Sequence, residues 1–245
     1  MELISFVIPV YNSEKSLDEL CKNITSLSYS YGFDYEIILV DDCSTDNSRK
    51  AMEMLSCSNP KIISVFLEKN SGQQNAIFCG LGLSRGSLVV NMDDDLQHPI
   101  DVVPKLIDEI KKGFDIVYGI TDVRYDENYR NFGSKLTDRL FTYILKKPRD
   151  KRISSFRIIR RTTVDSILLD NYRYVYISAA VVKHSHKIGN IFYRKACRKH
   201  GKSNYNFKKQ LIIFFRIIVY YSNFSFLEIF RKRGRQYKIK KIINR

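Results

Sequence analysis

The stretch Ser87-Leu88-Val89-Val90-Asn91-Met92-Asp93-Asp94-Asp95-Leu96-Gln97-His98-Pro99 decides the fold. A short apolar run that stops in three carboxylates reads as a buried strand whose carboxyl end meets a polar site. Beyond it, Pro99 to Lys112 repeats apolar residues at Val102, Val103, Leu106, Ile107 and Ile110 before Gly113, the period of a helix. Upstream the same succession recurs. Leu3 to Val10 is followed by a helix from about Glu14 carrying Leu17, Leu20, Ile24 and Leu27, with Asn12 or Ser13 as its cap. Tyr35 to Val40 runs into the turn Asp41 to Asp46 and a helix through Met52 and Leu55; Lys61 to Phe66 leads into Asn70-Ser71-Gly72. Strands alternating with helices predict an α/β fold, a mainly parallel sheet with helices on both faces. Ligands of such sheets bind at the carboxyl ends of strands, where each polar cluster falls.

A chain of 245 residues, 44% hydrophobic, can bury one substantial core, which excludes disorder and fibres. Its formal charge of +15 is unevenly placed: residues 1–120 hold 10 basic and 18 acidic residues, residues 121–245 hold 31 and 8. The basic half suits nucleic acid, an anionic membrane surface or phosphorylated small molecules, and composition does not choose among them. Cys21, Cys43, Cys57, Cys79 and Cys197 stand singly, without CxxC or a Cys/His cluster, which fits a reducing cytosol. The amino terminus lacks a basic n-region and breaks at Pro9, so it reads as a strand and not as a signal peptide. Leu211 to Leu227 is interrupted by Arg216, Ser222, Asn223 and Ser225, too early for a spanning helix. After Ile120 the pattern loosens into a helical stretch from Asn131 to Leu145, a strand near Phe156 to Ile159 and a helix near Val164 to Leu169. From Lys208 the chain is amphipathic and aromatic, and Arg231 to Arg245 forms a basic tail, an interfacial anchor or a solvated end.

Three adjacent carboxylates repel one another and call for a cation. Strand alternation places Asp93 and Asp95 on one side with Gln97 beyond them, hard oxygen ligands suited to magnesium or manganese bound jointly with a diphosphate. Asp41 and Asp42 end a second strand; singly they read as helix-capping residues, and together with the first cluster as one group for a nucleobase edge and one for a metal-diphosphate.

These blocks, Val7-Ile8-Pro9-Val10-Tyr11-Asn12, Glu36 to Asp46, Asn70-Ser71-Gly72-Gln73 and Met92 to Pro99, resemble the signature of family 2 glycosyltransferases. Within that family the blocks resemble the branch of the dolichol- or polyprenyl-phosphate sugar transferases and related bacterial surface-polysaccharide enzymes. Phe156 to Arg161 resembles that branch's "DFRL..R" block, Arg198 to Ser203 its "R..G.S" loop and Ser222 to Leu227 its membrane-proximal turn. The resemblance implies a GT-A fold, Rossmann-like, with a C-terminal amphipathic helical extension. It implies inverting transfer of a sugar from a nucleotide-sugar donor. Residues 1–207 would form the transferase domain (1–120 the nucleotide-sugar half, 121–207 the acceptor half) and 208–245 the extension. By position, Pro9, Tyr11 and Asp42 would hold base and ribose with Asp41 and Gln73 beside them. Asp93 would meet ribose, diphosphate or metal, Asp95 with Gln97 would hold the metal, and Arg198 and Ser203 would close over the diphosphate. Asp95 and Arg198 would carry the catalysis, through the metal and the leaving group's charge. Arg124 and Arg130 are further clamp candidates.

Three positions depart from the pattern. Ser13 replaces the usual Glu, with Glu14 one place late. Cys43 replaces a Gly, which predicts an ordinary backbone conformation there. Ser155 replaces the Asp of "DFR", which fits an acceptor other than a polyprenyl phosphate; a sugar hydroxyl would then need a general base. Asp122, Asp126 and Asp150 are acidic residues in the acceptor half, none singled out for that task. No Trp is present, against a processive synthase with a "QxxRW" block; a Gly-rich first loop and GxGxxG are also absent, against a nucleotidyltransferase and a dinucleotide oxidoreductase. The expected protein is a transferase that is peripheral on the inner face of the cytoplasmic membrane, acting on a lipid-linked sugar, a polyprenyl phosphate or a saccharide acceptor in cell-surface polysaccharide synthesis, with no nucleic acid partner. Its extension would lie on the membrane or pack on the domain or on a second copy. The rival is an inactive scaffold of the same fold, binding anionic lipid or nucleic acid through its basic half.

Overall fold

The computed structural model describes residues 1–121, 139, 141–170, 172–185, 187–194, 207–222 and 224–245. One sheet of eight strands runs through it: β1 (Leu3–Val10), β2 (Asp34–Asp41), β3 (Ile62–Leu67), β4 (Leu88–Asn91), β5 (Ile116–Thr121), β6 (Arg157–Arg160), β7 (Ile188–Tyr193) and β8 (Ile239–Ile243). Their order is β7-β5-β6-β4-β1-β2-β3-β8. β1 to β4 are mutually parallel, β5 pairs parallel with β7, β6 runs antiparallel between β4 and β5, and β8 runs antiparallel along β3. The carboxyl ends of β1, β2 and β4 therefore share one edge, the expected place for a site.

Two apolar layers follow from the alternation of side chains along each strand. Ile4, Phe6, Ile8 and Val10 of β1 pack with Leu17, Leu20 and Ile24 of α1 (Leu17–Tyr31), Met52 of α2 (Ser48–Ser58) and Leu106 and Ile110 of α4 (Val103–Lys111). Val7 faces the other way, against α3 (Gln73–Leu83), in a second layer that includes α5 (Arg161–Leu169), α6 (Ile177–His184) and, through Ile217 and Tyr221, α7 (Phe207–Tyr221). α3 lies directly on the sheet at Gly80, where an added Cβ would come 2.5 Å from Val7 Cγ1.

Several expectations change. Neither Asn12 nor Ser13 caps α1, which begins only at Leu17 after a turn closed by Ser16 N on Ser13 O at 3.1 Å. Asn12 instead faces the β2 loop, its amide donating to Ser44 Oγ at 3.0 Å and its Oδ1 accepting from Thr45 N at 2.8 Å. Cys43 takes φ +67, the left-handed value that a Gly would adopt, so the substitution keeps the turn at a conformational cost of about 1–2 kcal/mol. The basic tail is more than an anchor or a solvated end, because Ile239–Ile243 closes the sheet as β8. Of the stretch 131–145 the described part is residue 139 and residues 141–145, and 139 and 141–143 are helical.

Candidate active site

Pro9 lies in β1 opposite Val40, beyond Val7, where pairing with β4 stops, so its missing N–H costs no ladder bond on that side. Tyr11 follows at the edge, half exposed, and its amide approaches Asp94 Oδ2 at 3.4 Å.

Both acids that end β2 are buried and bonded to the surrounding loops. Asp41 is fully buried, accepting from Ser44 N at 2.9 Å and from Arg49 Nε at 2.7 Å. These bonds anchor the loop that follows β2. The hydrogen bond to Asp41 holds the Arg49 guanidinium above its usual pKa. Asp42 reaches across to the loop between β3 and α3, taking Ser71 N at 2.6 Å and Gly72 N at 2.8 Å, one on each carboxylate oxygen. Burial raises its pKa, and the two amides offset only part of that rise. Gly72 stands at φ +87, a conformation that presents its N–H to Asp42 and starts α3.

At β4 the strand ends at Asn91, so strand alternation does not run through Asp95; the chain bends, and Leu96 takes φ +58. A bulky residue in that region marks stored backbone strain, which clusters at functional turns. Asp93 is the hub. Its Oδ1 accepts from Gln73 Nε2 at 2.8 Å, and its Oδ2 meets Ser155 Oγ at 3.0 Å and His98 Nε2 at 3.3 Å. Burial would raise its pKa, but His98, Ser155 and the charge of Arg157 together hold it below the usual carboxylate range. Asp94 has the opposite fate: burial, with the charges of Asp93 and Asp95, pushes it up to about 6. Asp95 Oδ1 accepts the amide of Gln97 at 3.2 Å, which closes the turn.

His98, Tyr193 and Arg157 stand behind the acids and are given no role by sequence reasoning. His98 is buried, stacked on Phe156 with ring centroids 4.7 Å apart, and its Nδ1 lies 2.7 Å from the Tyr193 hydroxyl. Asp93 only accepts, so the neutral tautomer that satisfies both contacts carries its proton on Nε2 and takes the Tyr193 proton at Nδ1. Arg157, 1% exposed, bonds Asn91 Oδ1 through Nε at 3.2 Å and Nη2 at 3.1 Å, and Ser178 Oγ through Nη1 at 2.9 Å. It is a buried positive charge directly behind the acidic turn. The run from Asp93 to His98 was the available sequence signal for His98; Arg157 is set opposite Asn91 only by the β4–β6 register, between residues far apart in sequence.

The structure thus brings Tyr11, Gln73, Asp93 and Asp94 together at one sheet edge, with Asp41 and Asp42 organising the loops around them. Arg198, Ser203, Arg124, Arg130, Asp122 and Asp126 lie outside the described residues. Asp150 is exposed and paired with Lys151 at 3.1 Å. Among the described residues no three His, Cys, Asp or Glu side chains converge as a ready-made metal cage. Asp95 and the Gln97 side chain are nevertheless oxygen donors on one bent turn crowded with negative charge, and this set fits a hard divalent cation that takes its remaining ligands from elsewhere.

The fold resembles solved structures of glucosyl-3-phosphoglycerate synthase from Mycobacterium tuberculosis. The complex with Mn2+ and UDP-glucose superposes with a TM-score of 0.60 at 18% identity, covering 89% of this chain and 77% of that one. The complex with Mn2+, UDP-glucose and phosphoglyceric acid gives 0.61 at 18%, over 89% and 78%. At such identity the likeness is one of fold, the GT-A arrangement. The model of the family described as "Glycosyl transferase family 2" matches residues 5–168, which hold most of β1, all of β2 to β6 and the acidic turn. By this match and by the site at the head of its sheet, the chain belongs to glycosyl transferase family 2.

Proposed function

We propose that this glycosyltransferase moves a sugar, with inversion, from a nucleotide-sugar donor to a lipid-linked sugar or polyprenyl-phosphate acceptor in cell-surface polysaccharide synthesis, at the inner face of the cytoplasmic membrane. The observation that carries the donor half is the acidic turn, where Asp93 is fixed by Gln73, His98 and Ser155 and Asp94 is driven up to about 6 by burial together with the charges of Asp93 and Asp95. Asp95 and Gln97, with Asp93 behind them, would hold Mg2+ or Mn2+; when bound, the ion supplies charge to the departing diphosphate. The solved relatives of like fold contain Mn2+ with UDP-glucose, which supports the same donor chemistry here. Asp42 holds the loop of Ser71 and Gly72, which would shape the nucleoside end, and His98, with Ser155 and the charge of Arg157, favours the ionised form of Asp93. Arg198 and Ser203 are proposed to complete the diphosphate clamp.

Surface chemistry supports the lipid acceptor. Phe224, Phe226, Ile229 and Phe230, in and beside the 3-10 turn Ser225–Phe230, are 49%, 67%, 83% and 60% exposed. Between Arg231 and Arg245 the chain carries no acid. No helix among the described residues is long and apolar enough to cross a membrane, so contact would be interfacial. Basic residues there add about 1 kcal/mol each near an anionic leaflet.

Calorimetry with UDP, GDP, dTDP and CMP, with and without Mn2+, tests the donor site on wild type and Asp95→Ala. Binding of one nucleotide only with metal, abolished in the variant, is expected; no binding under any condition overturns the donor assignment and favours an inactive scaffold. Flotation with anionic vesicles tests the surface. The triple change Phe226→Ser, Ile229→Ser, Phe230→Ser should abolish it, and unchanged flotation would remove the membrane from the proposal.

A further inference from the structure

A concave surface lies at the β3–α3 loop, where the tail passes the end of β3. It is a cleft of about 400 Å³ whose lining includes Lys69, Arg173, Arg235 and Lys238, with Glu68 and Ser71 between them. The four cations come from three separate stretches of chain: the β3–α3 loop, the link between α5 and α6, and the tail. Backbone contacts lock these stretches together. Arg173 N donates to Lys232 O at 2.8 Å, Tyr172 and Arg233 form an antiparallel bridge, and Glu68 N donates to Lys238 O at 3.0 Å. Tyr237, 8% exposed, packs edge-on against Phe78 at 6.5 Å and carries the Arg235 guanidinium 5.9 Å from its ring centre.

Charge pairing separates the cleft from its surroundings. Near it in the tail, Lys241 pairs with Glu53 at 2.8 Å and Arg231 with Glu228 at 3.5 Å. None of the four cleft cations has a carboxylate within ion-pair distance among the described residues. A fixed backbone that gathers unneutralised like charges raises the local positive potential and favours a multivalent anion. The flexible ammonium and planar guanidinium groups together suit phosphate oxygens, the guanidinium groups through paired donors.

We propose that this cleft is a binding site, separate from the acidic turn, for a phosphate-bearing ligand, either a soluble diphosphate compound or the phosphate headgroup of an anionic lipid. Both sources present the same chemistry, and the exposed turn at Phe224 to Phe230 lies just before the tail residues that line the cleft.

The test uses the full chain in EDTA, so that metal-dependent diphosphate binding at the acidic turn is silent. Inorganic pyrophosphate is titrated calorimetrically into wild type, Arg173→Gln/Arg235→Gln, Lys69→Gln and Lys241→Gln. Affinity should fall by about tenfold or more in the double variant and severalfold in Lys69→Gln, and stay unchanged in Lys241→Gln. Lys69 is an exposed loop residue, so that variant keeps the test sound if the double variant folds poorly. Wild-type affinity in a folded double variant overturns the site, as does an equal loss in Lys241→Gln, which would reduce the effect to net charge. Flotation on phosphatidylcholine vesicles containing phosphatidic acid then assigns the source. Lost flotation in the double variant identifies the headgroup, and retained flotation with lost pyrophosphate binding identifies a soluble phosphate compound.

Discussion

Ser155 Oγ donates to Asp93 Oδ2 at 3.0 Å, joining the strand entry of β6 to the acidic turn after β4. The related "DFR" pattern carries an Asp where this chain has Ser155. Here that carboxylate would face Asp93 directly, and like charges at hydrogen-bond distance destabilise each other. Ser155→Asp should therefore lower transferase activity by about tenfold or more, whereas Ser155→Ala, which loses one hydrogen bond, should cost about fivefold. Steady-state rates of both variants check this. Wild-type activity in Ser155→Asp would show that the hydroxyl does not tune Asp93.

His98 couples Asp93 to Tyr193, whose hydroxyl lies 2.7 Å from Nδ1. Tyr193→Phe leaves a buried ring nitrogen without a partner, at a cost of about 1–3 kcal/mol. A thermal melt should register that loss, and the metal-dependent affinity for nucleoside diphosphate should weaken as His98 loses its orientation. A lower melting temperature with unchanged affinity would make His98 a packing residue only.

What could be read from the sequence and what could not divides along the range of the forces. β1, β2, β3 and the helices α1 and α4 announce themselves because their apolar residues repeat at one period over 6 to 15 residues. β5 was missed: Ile116–Thr121 is broken by Gly119, present because Phe156 fills the space of its Cβ at 2.6 Å, a contact that sequence spacing does not reveal. β8 was missed because Lys240 and Lys241 dominate an edge strand that needs charge on its exposed side. In the site, Asp93, Asp95 and Gln97 were legible as a strand-end cluster. The partners of Arg49, His98 and Ser155 were not, since each residue acquires its contact from the way the chain is folded together. The left-handed Cys43 shows the limit of residue type as a guide, because tertiary bonds from Asp41 and Asp42 fix that turn regardless of the side chain it carries.

Asp170 gives a pH-dependent element away from the site. Burial works against its charge, but His184 Nε2 at 2.9 Å and Lys183 Nζ at 2.8 Å more than offset that and hold its carboxyl below the usual range. A folded pKa below the unfolded one contributes stability that is complete above the unfolded value of about 3.9 and disappears as pH falls through the folded value. Asp170→Asn should thus cost about 1–3 kcal/mol at neutral pH. Denaturant titrations should show the gap from wild type narrowing only below about pH 4; a gap that does not change with pH would place the effect elsewhere.

The tail ties the last residues of the chain to the donor side of the sheet. β8 pairs Ile243 with Ser64, Ile242 with Val65 and Lys241 with Phe66, and Asn244 Nδ2 donates to Ile62 O at 3.1 Å. Just before it, Gln236 Oε1 lies 3.4 Å from Asn75 Nδ2 and Gln236 O 3.5 Å from Ser71 Oγ, on the loop whose amides Asp42 holds. A chain ending at Gly234 therefore loses the cover of β3, the buried Tyr237 and the outer support of that loop. Burial of one Tyr and an edge ladder corresponds to about 2–4 kcal/mol, and for a chain of this size each kcal/mol moves the melting temperature by about 2–4 °C. The truncated chain should melt about 5–10 °C lower, associate through the bared β3 edge, and bind nucleoside diphosphate more weakly even with metal present. If the tail served only as an anchor, the truncated chain would keep its melting temperature and nucleotide affinity and lose vesicle binding alone, an outcome that would contradict the part β8 plays in the sheet.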